Sequence, residues 1–460
     1  MIPPKPLARP DRVSLWRYLK LFRADILSAQ PARLYHAWMA EFRTPFFRSY
    51  LCNDPALVDL VLKERPGDFP KSNRVREGLA PLLGRSVFVT NGPEWQRQRR
   101  IIDPAFEGGR LRESFPAMLA AARAARDRLT ARAGEVVEVE AEASHAAADV
   151  IFRTLFSVPI EDDVASAVFS AFRTHQKAQP LLNLAAFLPL PRLVPRLHRR
   201  AARSSARRIR ALIEGLVARR LAAIAAGSAP DDLATKIMTT PDPETGACFT
   251  AAEMVDQVAI FFLAGHETSA SALAWALYLL AAFPEAQERV AEEARNLPKN
   301  PAFTDISAMS FTRDVFREAL RLYPPVPMMV REAGCPVTLR GRPAPKGSQI
   351  VISPWHLHRH DRLWADPDGF DPGRWQTDEG RASARAAFLP FSAGPRACPG
   401  AGFAMVEGVL LLALLLRDLK LTVDPGRPPV PEAHLTVRSR TGIHLCIERR
   451  DATSRVEHAL

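Results

Sequence analysis

The sequence predicts a mainly helical chain with a few small β-elements, and three observations carry that expectation. Residues 110–226 are mostly rich in Ala, Arg and Leu, a helix-favouring composition interrupted by Pro180, Pro189, Pro191 and Pro195. Thr250-Ala-Ala-Glu253 reads as a capping box opening a long apolar helix that stops before Pro284. Phe311–Leu322 has the spacing of an amphipathic helix and ends at Pro324-Pro325.

Taken in order, Phe46–Leu51 reads as a strand and Pro55–Lys63 as a short helix. Residues 72–90 lack periodicity and read as a connection long enough to be functional. A helix starts near Pro93 and carries Trp95 and Arg99 four residues apart, on one face. Such a pair suits an anionic ligand, and it equally describes an arginine lying along a packed tryptophan. The proline cluster at 180–195 separates two long helices, its apolar tip Leu181–Leu190 suggesting a lid or entrance, and 227–249 reads as a surface connection or small hairpin.

Inside the 250–283 helix, Ala264-Gly-His-Glu-Thr-Ser269 sets polar residues and a glycine in an apolar context, at a cost of about 1 kcal/mol for the glycine alone. Thr268 is positioned to bond the carbonyl four residues back, and Gly265 leaves room beside a flat ligand. Glu267 and Thr268 then read as a proton-delivery pair, although a satisfied threonine inside a helix is common. Further on, Glu318 and Arg321 share a helix face, Val326–Arg331 is extended, 335–340 and 349–353 are short strands, and Arg374 lies in the loop Phe370-Asp-Pro-Gly-Arg-Trp375. Phe388–Gly402 packs three prolines and three glycines around Cys398 and Arg396, just ahead of an apolar helix. Glycine and proline fix a turn, and Arg396 with converging N–H groups favours a thiolate; a buried free cysteine is the competing reading.

Composition bounds the remainder. The chain has 460 residues, 47% hydrophobic and 24% charged, with 40 prolines. Its five cysteines are scattered without a C-x-x-C pair, so neither a disulfide framework nor a zinc finger is indicated. The net charge of +12 suits nucleic acid, an anionic membrane or an acidic protein, but no nucleic-acid-binding motif accompanies it. A solvated helix face is the simpler reading of it, with docking to an acidic electron carrier or a membrane surface as the alternative. The proline-rich start lacks the apolar stretch of a signal peptide, and Val409–Leu416 is too short to span a membrane. A soluble, cytoplasmic, monomeric protein is expected.

Together, W-x-x-x-R, A-G-x-x-T, E-x-x-R, F-x-P-x-R and F-x-x-G-x-R-x-C-x-G, in that order, resemble the cytochrome P450 haem-thiolate monooxygenases from about residue 45 onward. The stretch Phe391–Gly400 fits every fixed position of that signature. The resemblance implies a helical triangular prism with small β-sheets, one catalytic domain over 1–460 with about the first 40 residues peripheral. It implies haem b with Cys398 as the iron ligand, Phe391, Gly400, Ala264 and Gly265 beside the macrocycle, and Trp95, Arg99, Arg331 and Arg396 at the propionates. Thr268 with Glu267 would relay protons, and Glu318, Arg321 and Arg374 would brace the cysteine loop. Gly373 departs from the acidic or larger residue many members carry there. O2 would be the co-substrate, with electrons from NAD(P)H through a separate reductase and a ferredoxin or flavodoxin, since no flavin or Rossmann signature is present. The pocket would be lined by 72–90, 172–195, Phe261, Phe262, Ala264, Val326, Met328, Met329 and 435–438, which suits a hydrophobic substrate. A peroxide-driven or rearranging haem-thiolate enzyme, or a haem sensor, are the other readings.

Overall fold

The computed structural model describes residues 2–43, 48–178 and 200–450. The central helix, Ala251–Ala282, is buried almost all round and organises the molecule. Its Thr250 cap accepts from Glu253 N while the Glu253 carboxylate accepts from Thr250 N, the reciprocal bonds that the sequence predicts. Val139–Phe156, Ser310–Leu322 and Ala401–Asp418 pack along it. One core cluster joins Trp275, Tyr323 and the leucines of Ala401–Asp418; a second gathers Phe152, Phe172 and Phe262. Trp275 and Tyr323 stack 3.9 Å apart between ring centroids. Ser310–Leu322 buries Val315, Phe316, Ala319 and Leu322 on the face it turns inward, the spacing of one helix stripe.

The strands are short. β1 (Met39–Arg43), β2 (Arg48–Cys52), β4 (Met329–Glu332) and β7 (Gln349–Ile352) form a sheet in the order β1-β2-β7-β4, with β2 and β7 parallel. β3 (Val136–Glu138), β8 (Leu419–Val423) and β11 (His444–Arg449) form a second, while β5 (Val337–Leu339) pairs with β6 (Arg342–Ala344) and β9 (Pro431–Ala433) with β10 (Val437–Ser439).

Three expectations need correction. Residues 72–90 contain a helix, Asn73–Leu83, capped by Ser72 and ended at Gly84 with φ +51°; Pro81 inside it hid the pattern. Residues 227–249 contain the helix Leu233–Thr239, capped by Asp232. The first 40 residues are not wholly peripheral, because Ile26, Leu27 and Leu34 are buried and Tyr323 donates to the Pro4 carbonyl. The cluster Pro180–Pro195 with its apolar tip lies outside the described residues, as does the start of the expected strand at Phe46. Among the described residues no single helix is long and apolar enough to cross a membrane.

Candidate cofactor and substrate site

The cysteine loop is held from three directions. Cys398 N donates to the Phe391 carbonyl (2.9 Å) and Ala397 N to that of Gly394 (3.0 Å), closing the turn. Gly394 has φ +67°, and a Cβ there would lie 1.9 Å from the Leu62 carbonyl oxygen, so glycine is required twice over. Arg99, reaching from the helix Gly92–Ile102, donates to the Ala397 carbonyl at 2.8 Å and pairs with Asp103 at 2.7 Å. Arg396 donates to the Thr90 carbonyl and Asn91 Oδ1, with its guanidinium 4.2 Å from the Trp95 ring centroid. Trp95 therefore partners Arg396, while its helix neighbour Arg99 braces the loop backbone.

Behind the loop lies the ion network. Glu318 is fully buried and accepts from Arg321 Nε and Nη2 (2.9 and 2.8 Å), Arg374 Nε (3.0 Å) and Asp371 N (3.0 Å). The remaining guanidinium N–H groups reach carbonyls of His358, Pro367, Gly369, Ala365 and Asp366. Burial of three ions is tolerable because each has partners. Gly373 leaves Arg374 in this network undisturbed. His358, which sequence reasoning missed, links the network to the cysteine loop: Leu389 N donates to its Nε2 (2.8 Å), so Nδ1 carries the hydrogen and donates to the Arg321 carbonyl (3.2 Å). Burial pulls its pKa down to about 3, which keeps it neutral.

Cys398 opens onto a cavity of about 1880 Å³ that reaches from the loop to the molecular surface. Single-ligand pockets are usually about 300–1,000 Å³, so this one has volume for a cofactor and a substrate together. Burial pushes the Cys398 thiol up, against the pull of Gly400 N–H and Arg99, so the loop alone does not produce the thiolate expected from its charge. On one side of the cavity Lys71, Arg331 and Arg396 converge without a carboxylate partner among the described residues. Arg331, buried on β4, is pulled down to about 10 by desolvation, Arg396 to about 9, and Lys71 well below its ordinary range by burial and by those two arginines. Such a cluster of like charges asks for an anion. Lys71 was not anticipated, since a lone lysine before a serine carries no pattern.

The opposite wall is the 264–271 stretch of the central helix. Its polar side chains are tied to different elements: His266 Nε2 meets Ser144 Oγ at 2.6 Å, Ser269 donates to Glu407 at 2.9 Å, and Ser271 to the Val437 carbonyl. Glu267 accepts from Thr436 Oγ1 (2.9 Å) and Arg438 Nη2 (3.0 Å), both near the β9–β10 hairpin. Thr268 donates to the Ala264 carbonyl at 2.5 Å and keeps its hydroxyl at the cavity. The space at Gly265 is not reserved for a flat ligand alone, because a Cβ there would lie 2.2 Å from Ile151 Cδ1. Glu407, also unanticipated, is buried beside the cavity and pushed up to about 8 by desolvation.

Phe261, Ala264, Val326, Met328, Met329, Leu435 and Phe391 line the cavity, as do residues of the 74–88 segment. Phe262 does not; it packs in the core 4.2 Å from the Phe152 ring, because the helical turn carries it to the far face. Of 172–195, His175 lines the cavity among the described residues. Among the described residues no cluster of His, Cys, Asp and Glu has metal-binding geometry. The donor set therefore suits a group that brings its own remaining ligands and two carboxylates. A haem fits that description: Cys398 would be the residue to bind its iron, and Lys71, Arg331 and Arg396 would be the cations available to its carboxylates.

A family model described as cytochrome P450 matches residues 40–447. The chain is 32% identical over 421 residues to cyclooctat-9-en-7-ol 5-monooxygenase of Streptomyces melanosporofaciens, covering 90% of this chain and 87% of that one. It is 32% identical over 419 residues to human cytochrome P450 4A11, covering 86% and 79%. In fold it is similar to the crystal structure of the cytochrome P450DA heme domain, with a TM-score of 0.81 at 23% identity over 98% of this chain and 99% of that one.

Proposed function

Because the chain belongs to the cytochrome P450 family, whose members are haem-dependent monooxygenases, we propose that it inserts one oxygen atom of O2 into a hydrophobic small molecule. One observation carries the reading: the Cys398 thiol faces an apolar cavity whose edge holds three cations without carboxylate partners among the described residues. Haem b, when bound, supplies dioxygen activation, with two electrons and two protons reducing the second oxygen to water. Cys398 would hold it as thiolate, the metal's charge together with the Gly400 N–H and Arg99 countering the rise that burial imposes on the free thiol. Arg331, Arg396 and Lys71 would hold its propionates, with Trp95 supporting Arg396. Arg99 fixes the Ala397 carbonyl, so the thiolate keeps its direction.

Proton supply falls to the central helix. The Thr268 hydroxyl, bonded to Ala264 O, diverts that carbonyl and holds an oxygen at the cavity face. Glu267 is buried and tethered through Thr436 and Arg438, so it delivers a proton only when that tether loosens. Phe261, Val326, Met328, Met329 and Leu435 exclude water and orient an apolar substrate, the two methionines adapting to its shape. Electrons come from a separate ferredoxin or flavodoxin and its NAD(P)H-dependent reductase.

Cyclooctat-9-en-7-ol, the substrate named for the Streptomyces relative, is a first compound to test alongside a panel of apolar compounds. Turnover with a ferredoxin, its reductase and NAD(P)H under ¹⁸O2 is expected to give a product carrying one ¹⁸O atom. Label from H2¹⁸O2 but none from ¹⁸O2 across the panel would favour a peroxide-driven enzyme and contradict this reading. Binding without any product would favour a haem sensor.

A further inference from the structure

The first 24 residues carry a feature that oxygen insertion does not use. Three of the five most exposed large apolar side chains of the described residues lie there: Ile2 (71% exposed), Leu7 (89%) and Trp16 (80%). The same stretch, residues 2–24, holds six cations and a single acid, Asp11. Lys5 is used internally, paired with Asp368, and Arg9 is spent on carbonyls of Ala29, Pro10 and Asp11. Arg12, Arg17, Lys20 and Arg23 are exposed and form no ion pair among the described residues. On the helix Leu15–Ala24, Trp16, Lys20 and Arg23 recur at the spacing of one face. Tyr18, Leu19 and Phe22 of that helix line the cavity that Cys398 faces, and Arg12 and Arg23 border it as well, which leaves Trp16, Arg17 and Lys20 turned away from it.

We infer that this N-terminal surface docks on an anionic lipid bilayer and holds the cavity mouth against it. A tryptophan with an apolar body and a polar N–H belongs at the headgroup level, and unpaired cations around it match anionic headgroups. The charge complementarity selects the occupant. An acidic protein would answer the cations, but it gives no account of Ile2, Leu7 and Trp16 left in water at an energetic cost. A bilayer answers both. The helix then serves two solvents, with its outer face in the interface and its inner face forming the wall past which an apolar substrate enters.

The test uses the haem-loaded full chain and sedimentation with vesicles of phosphatidylcholine alone or mixed with phosphatidylglycerol. The protein is expected to pellet with the anionic vesicles, to be released by high salt, and to bind zwitterionic vesicles at least tenfold less. Replacing Arg17 and Lys20 by Gln is expected to weaken binding about fivefold per cation, or roughly 25-fold together. Trp16→Ala is expected to weaken it about tenfold by removing apolar burial. These positions are exposed, and an unchanged carbonmonoxide spectrum of each variant verifies that the fold and the cofactor site are intact. A protein that stays in the supernatant with anionic vesicles overturns the inference, as does binding insensitive to Trp16→Ala. Capture by an acidic [2Fe–2S] ferredoxin that Arg17→Gln/Lys20→Gln abolishes, with no vesicle binding, would overturn it in favour of a protein partner. Vesicle binding is measured without turnover, so it stands or falls separately from the proposed reaction.

Discussion

Glu318→Gln is the most informative single substitution. The carboxylate accepts four N–H groups while fully buried, two from Arg321, one from Arg374 and one from Asp371. Glutamine keeps the shape but offers one acceptor oxygen, and its NH2 group confronts guanidinium donors. It also leaves two buried cations without their counter-charge. Removing one partner of a buried ion pair costs about 3–5 kcal/mol. Unfolding entropy near 2.1 cal/mol/K per residue gives about 1 kcal/mol/K for 460 residues, so the melting temperature should fall by roughly 3–5 °C. Differential scanning calorimetry of the haem-loaded protein measures this. The loss should be accompanied by poorer haem retention, because Arg321 acts on the cysteine loop through His358 and Leu389. Arg381→Ala, which breaks an exposed pair with Asp378, is the control and should shift melting by less than about 1 °C. Glu318→Gln melting within 1 °C of the parent, with full haem content, would refute the bracing role.

Three other outcomes follow from the same geometry. Glu407→Gln changes the pH dependence of stability: the folded pKa near 8 exceeds the unfolded 4.5, so the stabilisation Glu407 contributes is fully present below pH 4.5 and is lost as pH rises through 8. Melting of parent and variant should therefore diverge in the variant's favour between pH 5 and 8, by about 4 kcal/mol or roughly 4 °C; parallel melting curves would contradict it. Lys71→Met should stabilise the haem-free protein, by removing a desolvated cation beside Arg331 and Arg396, yet speed haem loss to a scavenging globin. Equal haem-loss rates would remove Lys71 from the propionate set. Gly394→Ala should prevent haem loading, since a Cβ there would lie 1.9 Å from the Leu62 carbonyl oxygen and backbone cannot retreat to contact distance; a fully loaded, normally melting variant would contradict the strain argument.

What was legible in the sequence is what local chemistry dictates. The capping box at Thr250, the proline stop after Leu322 and the Gly/Pro turn around Cys398 all depend on neighbours a few residues away, and all appear where expected. Glu318, Arg321 and Arg374 meet because two share a helix face and the third sits on a loop tied to them. Residues whose role depends on distant partners were not legible. Lys71 is informative only beside Arg331 and Arg396, His358 only between Arg321 and Leu389, and Glu407 only once burial is known. Phe262 failed for a different reason: in a helix apolar all round, the pattern does not say which phenylalanine turns toward the cavity.

Thiolate ligation at Cys398 is tested most directly by the absorption spectrum of the dithionite-reduced protein under carbon monoxide. A red-shifted Soret band diagnostic of a haem thiolate is predicted, abolished by Cys398→Ala and retained in Cys335→Ala. A band typical of histidine-ligated haem, or one that survives Cys398→Ala, would contradict the account.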